Sequence, residues 1–305
     1  MLITPKRLEI EGVTLEILKE EDVNYVYNLN NGRMLKTKDD IENYLSQHEW
    51  KNSEPMVNFL FQRKKGSWSN LTIMSTIFKA TNLKWAMNIV NLINILKLSF
   101  LKLLLVNILL LVPFIFKLSS VDIGNSFPNL WVLIPTIVIS SIIIAFFHEI
   151  SHYQAYFSVV KTKRMRIGFS LLYLNIFTFF AELPFLNLLS IEDKKRTILA
   201  GVRIQLFINS ILILMYIFTG NIYLFFVIII NSYTIFANLS PFSRMDGYWY
   251  ISNIIGVNSY SEELYLQLSG KKPKTPLVLA LGITNIVVII VGIIITYMGI
   301  VKYFF

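Results

Sequence analysis

The sequence SSIIIAFFHEISHYQAY, residues 140–156, decides the fold and indicates where a site lies. Its first half carries no charge and is apolar enough to lie in lipid, and the polar half follows without an intervening loop. We therefore expect one helix that carries ionisable side chains at the end of a membrane span. Such side chains are costly near lipid and are usually functional there. The stretch therefore predicts a membrane protein with a site at a membrane boundary.

The polar half contains the motif HEISH, in which His148, Glu149 and His152 are ionisable. Four residues are just over one helical turn, so the two histidines project from the same helix face with Glu149 beside them. A zinc hydrolase uses this arrangement, because the histidines bind Zn²⁺ and the glutamate accepts a proton from the attacking water. The alternative is a pair of partly buried structural histidines, which the cost of such groups near lipid disfavours.

Composition points to a polytopic membrane protein with a modest soluble part. The chain has 305 residues, of which 54% are hydrophobic, and a mean hydropathy of +0.57. Its net charge of +9 comes from lysines and arginines at the ends of apolar segments, which suits an anionic cytoplasmic leaflet better than nucleic acid. The absence of cysteine excludes disulfides, thiolate zinc ligands and cysteine nucleophiles.

Five apolar segments are long enough to span a bilayer, at residues 99–116, 130–147, 197–218, 222–239 and 276–298. Basic stretches lie at residues 161–166, 194–196 and 271–274, whereas the loop 119–129 has no lysine or arginine. The positive-inside rule places the basic stretches in the cytoplasm and the loop outside. The N-terminus has no apolar core of the signal-peptide type, so we expect it in the cytoplasm as well.

Residues 167–189 are also apolar and long enough to cross, but crossing would put the basic stretches that flank them on opposite faces. We therefore expect a re-entrant or interfacial segment, which must be covered by protein or line a wet cavity where an extended substrate can pair. The predicted fold is mostly α: a membrane bundle of about five spans plus this re-entrant segment, with a small N-terminal α+β cytoplasmic domain.

The N-terminal domain, residues 1–80, shows short-range patterns of both kinds. Alternation over residues 7–20 predicts a half-exposed strand, residues 23–35 predict a hairpin, and helices are expected over residues 41–45, capped by Thr37, and over residues 54–62. The domain resembles the PqqD-like leader-peptide-binding domain, a winged helix, with a plain cytoplasmic cap as the alternative. Residues 81–98 predict an amphipathic connector to a membrane metalloprotease domain over residues 99–305.

A catalytic zinc site takes three protein ligands, and no third histidine is available near membrane depth. A carboxylate must therefore complete the site. Asp246 follows the fourth predicted span and, by the topology above, emerges on the same side as the histidine pair. The alternatives are Glu182 and Glu263, and a plain turn at Asp246-Gly247.

Two motifs together resemble a known family. The site-2 protease type of intramembrane zinc metalloprotease carries HExxH on one membrane helix and N-x-x-P-x-x-x-x-D-G on a later one. This chain has HEISH and matches the second motif with Asn238, Pro241, Asp246 and Gly247. The continuation DGYW and the stretches at residues 168–173 and 195–201 are most similar to the bacterial peptide zinc metalloprotease branch, and the resemblance covers residues 130–255.

The resemblance implies a zinc endopeptidase in which His148, His152 and Asp246 bind Zn²⁺ and Glu149 is the general base. It gives Asn238 a role in binding the substrate backbone or the oxyanion, for which a helix–helix hydrogen bond is the alternative. The family's usual glycine before the second histidine is Ser151 here, and the proline after Gly201 is replaced, which leaves the substrate type open.

We therefore expect a multi-pass protein of the cell membrane that cleaves a peptide or membrane-anchored protein near the cytoplasmic face. The N-terminal domain favours a ribosomally made peptide with a leader. The partners expected are this substrate and the lipid bilayer, with an export partner left open and no nucleic acid. One alternative is a non-enzymatic permease or peptide-immunity protein with a vestigial metal site, and another is a protease of the CAAX-prenyl type that uses Glu182 or Glu263.

Overall fold

A computed structural model describes residues 3–61, 70–119, 128–162, 164–172, 176–242, 244–257 and 259–304. The chain forms two compact units. Unit 1 comprises residues 1–92 and 149–189, and unit 2 comprises residues 93–148 and 190–305. These units do not follow the expected boundaries at residues 80 and 98, because residues 149–189 group with the N-terminal part. The division into a soluble and a membrane domain stays a prediction.

Unit 1 begins with a four-stranded antiparallel sheet whose strands follow chain order: β1 (Lys6–Ile10), β2 (Val13–Glu20), β3 (Val23–Asn28) and β4 (Arg33–Thr37). The single strand predicted over residues 7–20 is two strands, because Glu11 and Gly12 take positive φ angles of 45° and 81° and reverse the chain. The hairpin predicted over residues 23–35 is confirmed by the pairing of β3 with β4.

Two short helices pack against this sheet, α1 (Ile41–Ser46) and α2 (Glu54–Phe61). Both helices were expected, although the last residue predicted for α2 lies outside the described residues. The N-cap of α1 is Asp40, which accepts a hydrogen bond from the backbone N–H of Asn43, because the expected cap, Thr37, still belongs to β4. The buried core consists of Val13, Leu15, Ile17, Val26, Ile41, Leu45, Trp50, Phe59 and Leu60.

A second antiparallel sheet of unit 1 has the order β5–β6–β7. Its strands are β5 (Asn70–Lys79), β6 (Arg164–Leu172) and β7 (Ile176–Ala181), and a short 3₁₀ helix follows at Leu186–Leu188. The described residues of the apolar segment 167–189 therefore form strands, turns and the short 3₁₀ helix in place of a spanning helix, because β6 pairs with a strand from a distant part of the chain. Their re-entry into the membrane stays a prediction.

The predicted connector contains helix α3 (Lys84–Ile95), and the helices of unit 2 follow it. Among the residues that the structure describes, four helices are long and apolar enough to cross a membrane, which indicates a membrane protein. They are α4 (Phe100–Ser119), α5 (Leu130–Phe157), α6 (Ile191–Thr219) and α7 (Ile222–Leu239). Helix α5 is continuous and contributes residues to both units. Shorter helices α8 (Asp246–Ile255) and α9 (Tyr260–Leu268) precede the last helix, α10 (Pro276–Phe304).

Helix α6 is the central helix of unit 2. In its most apolar 18-residue window 56% of the residues are buried, against 11–22% in the corresponding windows of α4, α5 and α7. Buried amides hold the neighbouring helices against α6. Asn209 donates to Asn107 Oδ1 of α4 at 2.9 Å, and Asn231 of α7 donates to Asn209 Oδ1 at 3.1 Å. Such bonds are effective where water does not compete for the partners.

Two topological expectations stay predictions. Helix α10 covers the fifth predicted span, and the stretch of it that is described as apolar is Pro276–Val288. Most of the loop 119–129, on which the orientation of the spans depends, lies outside the described residues.

Candidate metal centre

Helix α5 carries the two histidines of the HEISH motif near its C-terminal end. His148 and His152 are each only 7% exposed, and their separation of one turn places both imidazoles on one face of α5. Glu149 lies between them in sequence and is partly buried. Helix geometry alone therefore brings together the two histidines that the sequence predicted as nitrogen ligands.

Asp246 reaches the histidine pair because α8 begins directly beside the end of α7. A Cβ atom at Gly247 would lie 2.2 Å from the carbonyl oxygen of Leu239 and 2.8 Å from that of Ser240, so the backbones approach too closely for any side chain at this position. This packing places Asp246 Oδ2 3.3 Å from His148 Nε2. Asp246-Gly247 therefore starts a helix in contact with the site and is not merely a turn.

The three predicted ligands form one group. One ligand atom each from His148, His152 and Asp246 lie within 4.8 Å of one another, and among the described residues no other group of histidines and carboxylates meets this condition. A tetrahedral zinc ion with bonds of about 2.1 Å has ligand atoms about 3.4 Å apart. The observed 3.3 Å between His148 Nε2 and Asp246 Oδ2 matches this edge, so the residues fit a small divalent metal ion.

The loop that delivers Asp246 is held by the helices that follow it. Tyr260 OH donates a hydrogen bond to the carbonyl oxygen of Pro241, and Asn285 Nδ2 donates to that of Phe242. Tyr248, in the first turn of α8, is fully buried and its hydroxyl lies 2.7 Å from Ser259 Oγ. The position of the Asp246 carboxylate therefore depends on α9 and α10 as well as on α7.

The second nitrogen of His148 has a side-chain partner that the sequence analysis missed. His148 Nδ1 lies 3.0 Å from Gln205 Oε1, and Gln205 is a buried residue of α6. Asn238, which the family resemblance made a substrate-binding residue, donates from Nδ2 to the same Oε1 at 2.9 Å. The Asn238 amide is thus hydrogen-bonded to the same Gln205 oxygen that contacts His148, and its contact with substrate stays a prediction.

A sequence signal for Gln205 existed. Gln205 and Asn209 are four residues apart in an apolar helix, and Asn231, Thr234 and Asn238 follow one face of α7. Amides and hydroxyls that recur at helical spacing in a membrane span indicate a polar seam between helices. The spacing marks the seam, but it does not show which of its members faces a histidine.

The two alternative carboxylates have other partners. Glu182 pairs with Arg166 at 3.1 Å and accepts a hydrogen bond from Tyr27 within unit 1, and Glu263 pairs with Lys272 at 2.7 Å in unit 2. Burial, and then the Glu182 carboxylate, raise the pKa of the Tyr27 hydroxyl well above its ordinary value. Neither carboxylate belongs to the group formed by the two histidines and Asp246.

Comparison of the chain with models of known families, with curated proteins and with solved structures finds no match.

Proposed function

We propose that the chain is a membrane-embedded zinc endopeptidase of the site-2 protease type. The convergence of His148 and His152 on α5 with Asp246 on α8 carries the proposal. Two imidazoles and one carboxylate form a common ligand set of catalytic zinc, whose fourth position stays open for water or substrate. The presence of four helices apolar enough to cross a membrane supports a site that acts at or within the bilayer.

Each polar residue has a separate task in this proposal. A bound zinc ion supplies Lewis acidity toward the scissile carbonyl and toward the attacking water. Glu149 accepts the proton of that water on its carboxylate and returns it to the leaving amine. Asn238 has a second amide N–H beyond the one given to Gln205, and this N–H is suited to a substrate carbonyl.

The burial of the ligands restricts which peptides can react. Because His148 and His152 are each 7% exposed, a scissile bond must leave its own helix to reach them, since a helix engages its carbonyls in hydrogen bonds. The substrate class proposed is a peptide or membrane-anchored protein cut near the cytoplasmic face. The likeness of the N-terminal domain to a leader-binding domain favours a ribosomally made precursor.

The Glu149→Gln variant tests the proposal, with Glu192→Gln as a matched control because Glu192 is an exposed carboxylate of α6. Both variants and the unmodified protein are purified in detergent, and their zinc content is measured by plasma mass spectrometry. New peptide N-termini are then sequenced from membranes of cells that express each form.

We expect about one zinc per chain in all three proteins, and a set of N-termini that is absent only with Glu149→Gln. Failure of the unmodified protein to bind zinc would refute the metal site. Zinc binding without any N-terminus that depends on Glu149 would favour the non-enzymatic alternative.

A further inference from the structure

We infer that Gln205 is a positioning residue that fixes His148 in the tautomer with the proton on Nδ1, so that the lone pair of Nε2 faces the metal position. The inference rests on the proposed zinc site and adds to it a residue outside the ligand set.

The side-chain oxygen of Gln205, Oε1, accepts two hydrogen bonds on the side of the candidate metal centre. Oε1 lies 3.0 Å from His148 Nδ1 and 2.9 Å from Asn238 Nδ2. Gln205 is 3% exposed, so water does not replace either partner. A buried amide with both ends engaged has one preferred orientation, because reversing it would set its N–H groups against the amide nitrogen of Asn238 and its oxygen against Thr234 Oγ1.

The opposite end of the amide shows which orientation is correct. Thr234 Oγ1 donates its only proton to the carbonyl oxygen of Asn231 at 2.8 Å. It therefore has only lone pairs to offer Gln205, which meets it through Nε2 at 3.3 Å. With the nitrogen of Gln205 directed at Thr234, the atom directed at His148 is the oxygen.

An acceptor opposite Nδ1 requires the proton of the neutral imidazole to be there. Nε2 is then unprotonated, and it lies 3.3 Å from a carboxylate oxygen of Asp246. Two electron-rich atoms at that separation repel each other unless a cation lies between them. Asp246 alone would favour a proton on Nε2, which would block this ligand, so Gln205 opposes that tautomer and keeps Nε2 available for a metal ion.

The backbone of Gln205 is held as firmly as its side chain. Asn231 Nδ2 donates a hydrogen bond to the backbone carbonyl oxygen of Gln205 at 3.4 Å. Asn209, one turn later on α6, forms side-chain hydrogen bonds with Asn107 and Asn231. These bonds fix the rotation of α6 about its own axis. Because that rotation determines where Oε1 points, the acceptor is already in place before any metal binds.

Two substitutions at Gln205 separate this role from plain packing. Gln205→Met removes the acceptor and keeps the size of the side chain, whereas Gln205→Glu keeps an acceptor opposite Nδ1. Asn209→Leu is the matched control, because it removes another buried amide of α6 that does not contact His148. Each protein is purified in detergent, its thermal unfolding is recorded, and its zinc affinity is measured by competition with a chromogenic chelator. The visible absorption of the Co²⁺-substituted protein reports the ligand geometry.

We expect Gln205→Met to bind zinc about 10–100-fold more weakly than the unmodified protein and to show an altered Co²⁺ spectrum. Gln205→Glu should stay within a few-fold of the unmodified affinity, and Asn209→Leu should lose thermal stability with little change in affinity.

Unchanged zinc affinity and Co²⁺ absorption in a folded Gln205→Met protein would overturn the inference. If that variant fails to fold, an equal loss of affinity in Gln205→Glu and Asn209→Leu overturns it instead. If the unmodified protein binds neither metal, the proposed function fails first, which distinguishes the two outcomes.

Discussion

The Gly247→Ala variant tests whether the close packing of α8 on α7 holds Asp246 in the metal centre. The added Cβ would lie 2.2 Å from the carbonyl oxygen of Leu239, whereas ordinary contact begins at 3.4 Å. The obstacle is backbone at the end of α7, so α8 has to move by about 1 Å to admit the methyl group. Metal–ligand distances tolerate only about 0.2 Å, so this movement takes the carboxylate out of coordination range.

We expect Gly247→Ala to lower the zinc affinity about as strongly as loss of Asp246 itself, by at least about 100-fold. Helix propensity alone gives the opposite expectation, because alanine is favoured over glycine within a helix by about 1 kcal/mol. Zinc affinity of the purified protein in detergent is the measurement, with thermal unfolding recorded in parallel to confirm that the variant is folded.

Gly12→Ala is the matched control for this experiment. It also adds a methyl group at a glycine, but no atom lies within 4 Å of the added Cβ and the residue belongs to a turn of unit 1, so its positive φ of 81° costs some stability without moving α8. The control should bind zinc normally. If Gly247→Ala binds zinc as tightly as the control does, the position of Asp246 does not depend on this contact and the reasoning fails.

Two further predictions concern carboxylates and a tyrosine. Asp246→Asn should abolish tight zinc binding while Glu182→Gln and Glu263→Gln retain it, and the reverse result in a chelator competition would favour the CAAX-prenyl type of site. Tyr27, whose pKa is raised by burial and by Glu182, keeps its proton in the folded protein where the unfolded chain loses it. Its contribution to stability is therefore complete below about pH 10 and falls by up to about 1.4 kcal/mol per pH unit above it. Denaturation curves from pH 8 to 11 should show stability falling less steeply above pH 10 in Tyr27→Phe than in the unmodified protein and in Tyr25→Phe, and equal slopes in all three would contradict this prediction.

The sequence was sufficient where the determinants are local. The spacing of His148 and His152 depends only on the helix repeat, and the hairpin over residues 23–35 depends only on alternation around a turn. Asp246 required one non-local argument, the distribution of basic residues along the chain. That argument selected the carboxylate that the structure places beside His148.

Pairings between distant segments could not be predicted in the same way. Strand β6 pairs with β5 across the whole of α3, α4 and α5, and no periodicity within residues 167–189 specifies that partner. The segment is nearly as apolar as a membrane span, and its composition alone does not distinguish buried strands from a spanning helix. Gln205 was missed for a similar reason, since its role depends on which residue of another helix it contacts.

The packing of α6 and the orientation of the His148 imidazole in unit 2 depend on the same contacts. Gln205 and Asn209 are one turn apart on α6, so they share a face, and that face contacts both the amides of α4 and α7 and the imidazole of His148. A rotation of α6 by one residue, about 100°, would break the bonds of Asn209 and remove the acceptor opposite His148 together. In an apolar bundle with little competing water, amide bonds of this kind are directional enough to prevent such a rotation. The polar spacing that lets α6 pack at the centre of the bundle therefore also determines which nitrogen of His148 faces Asp246.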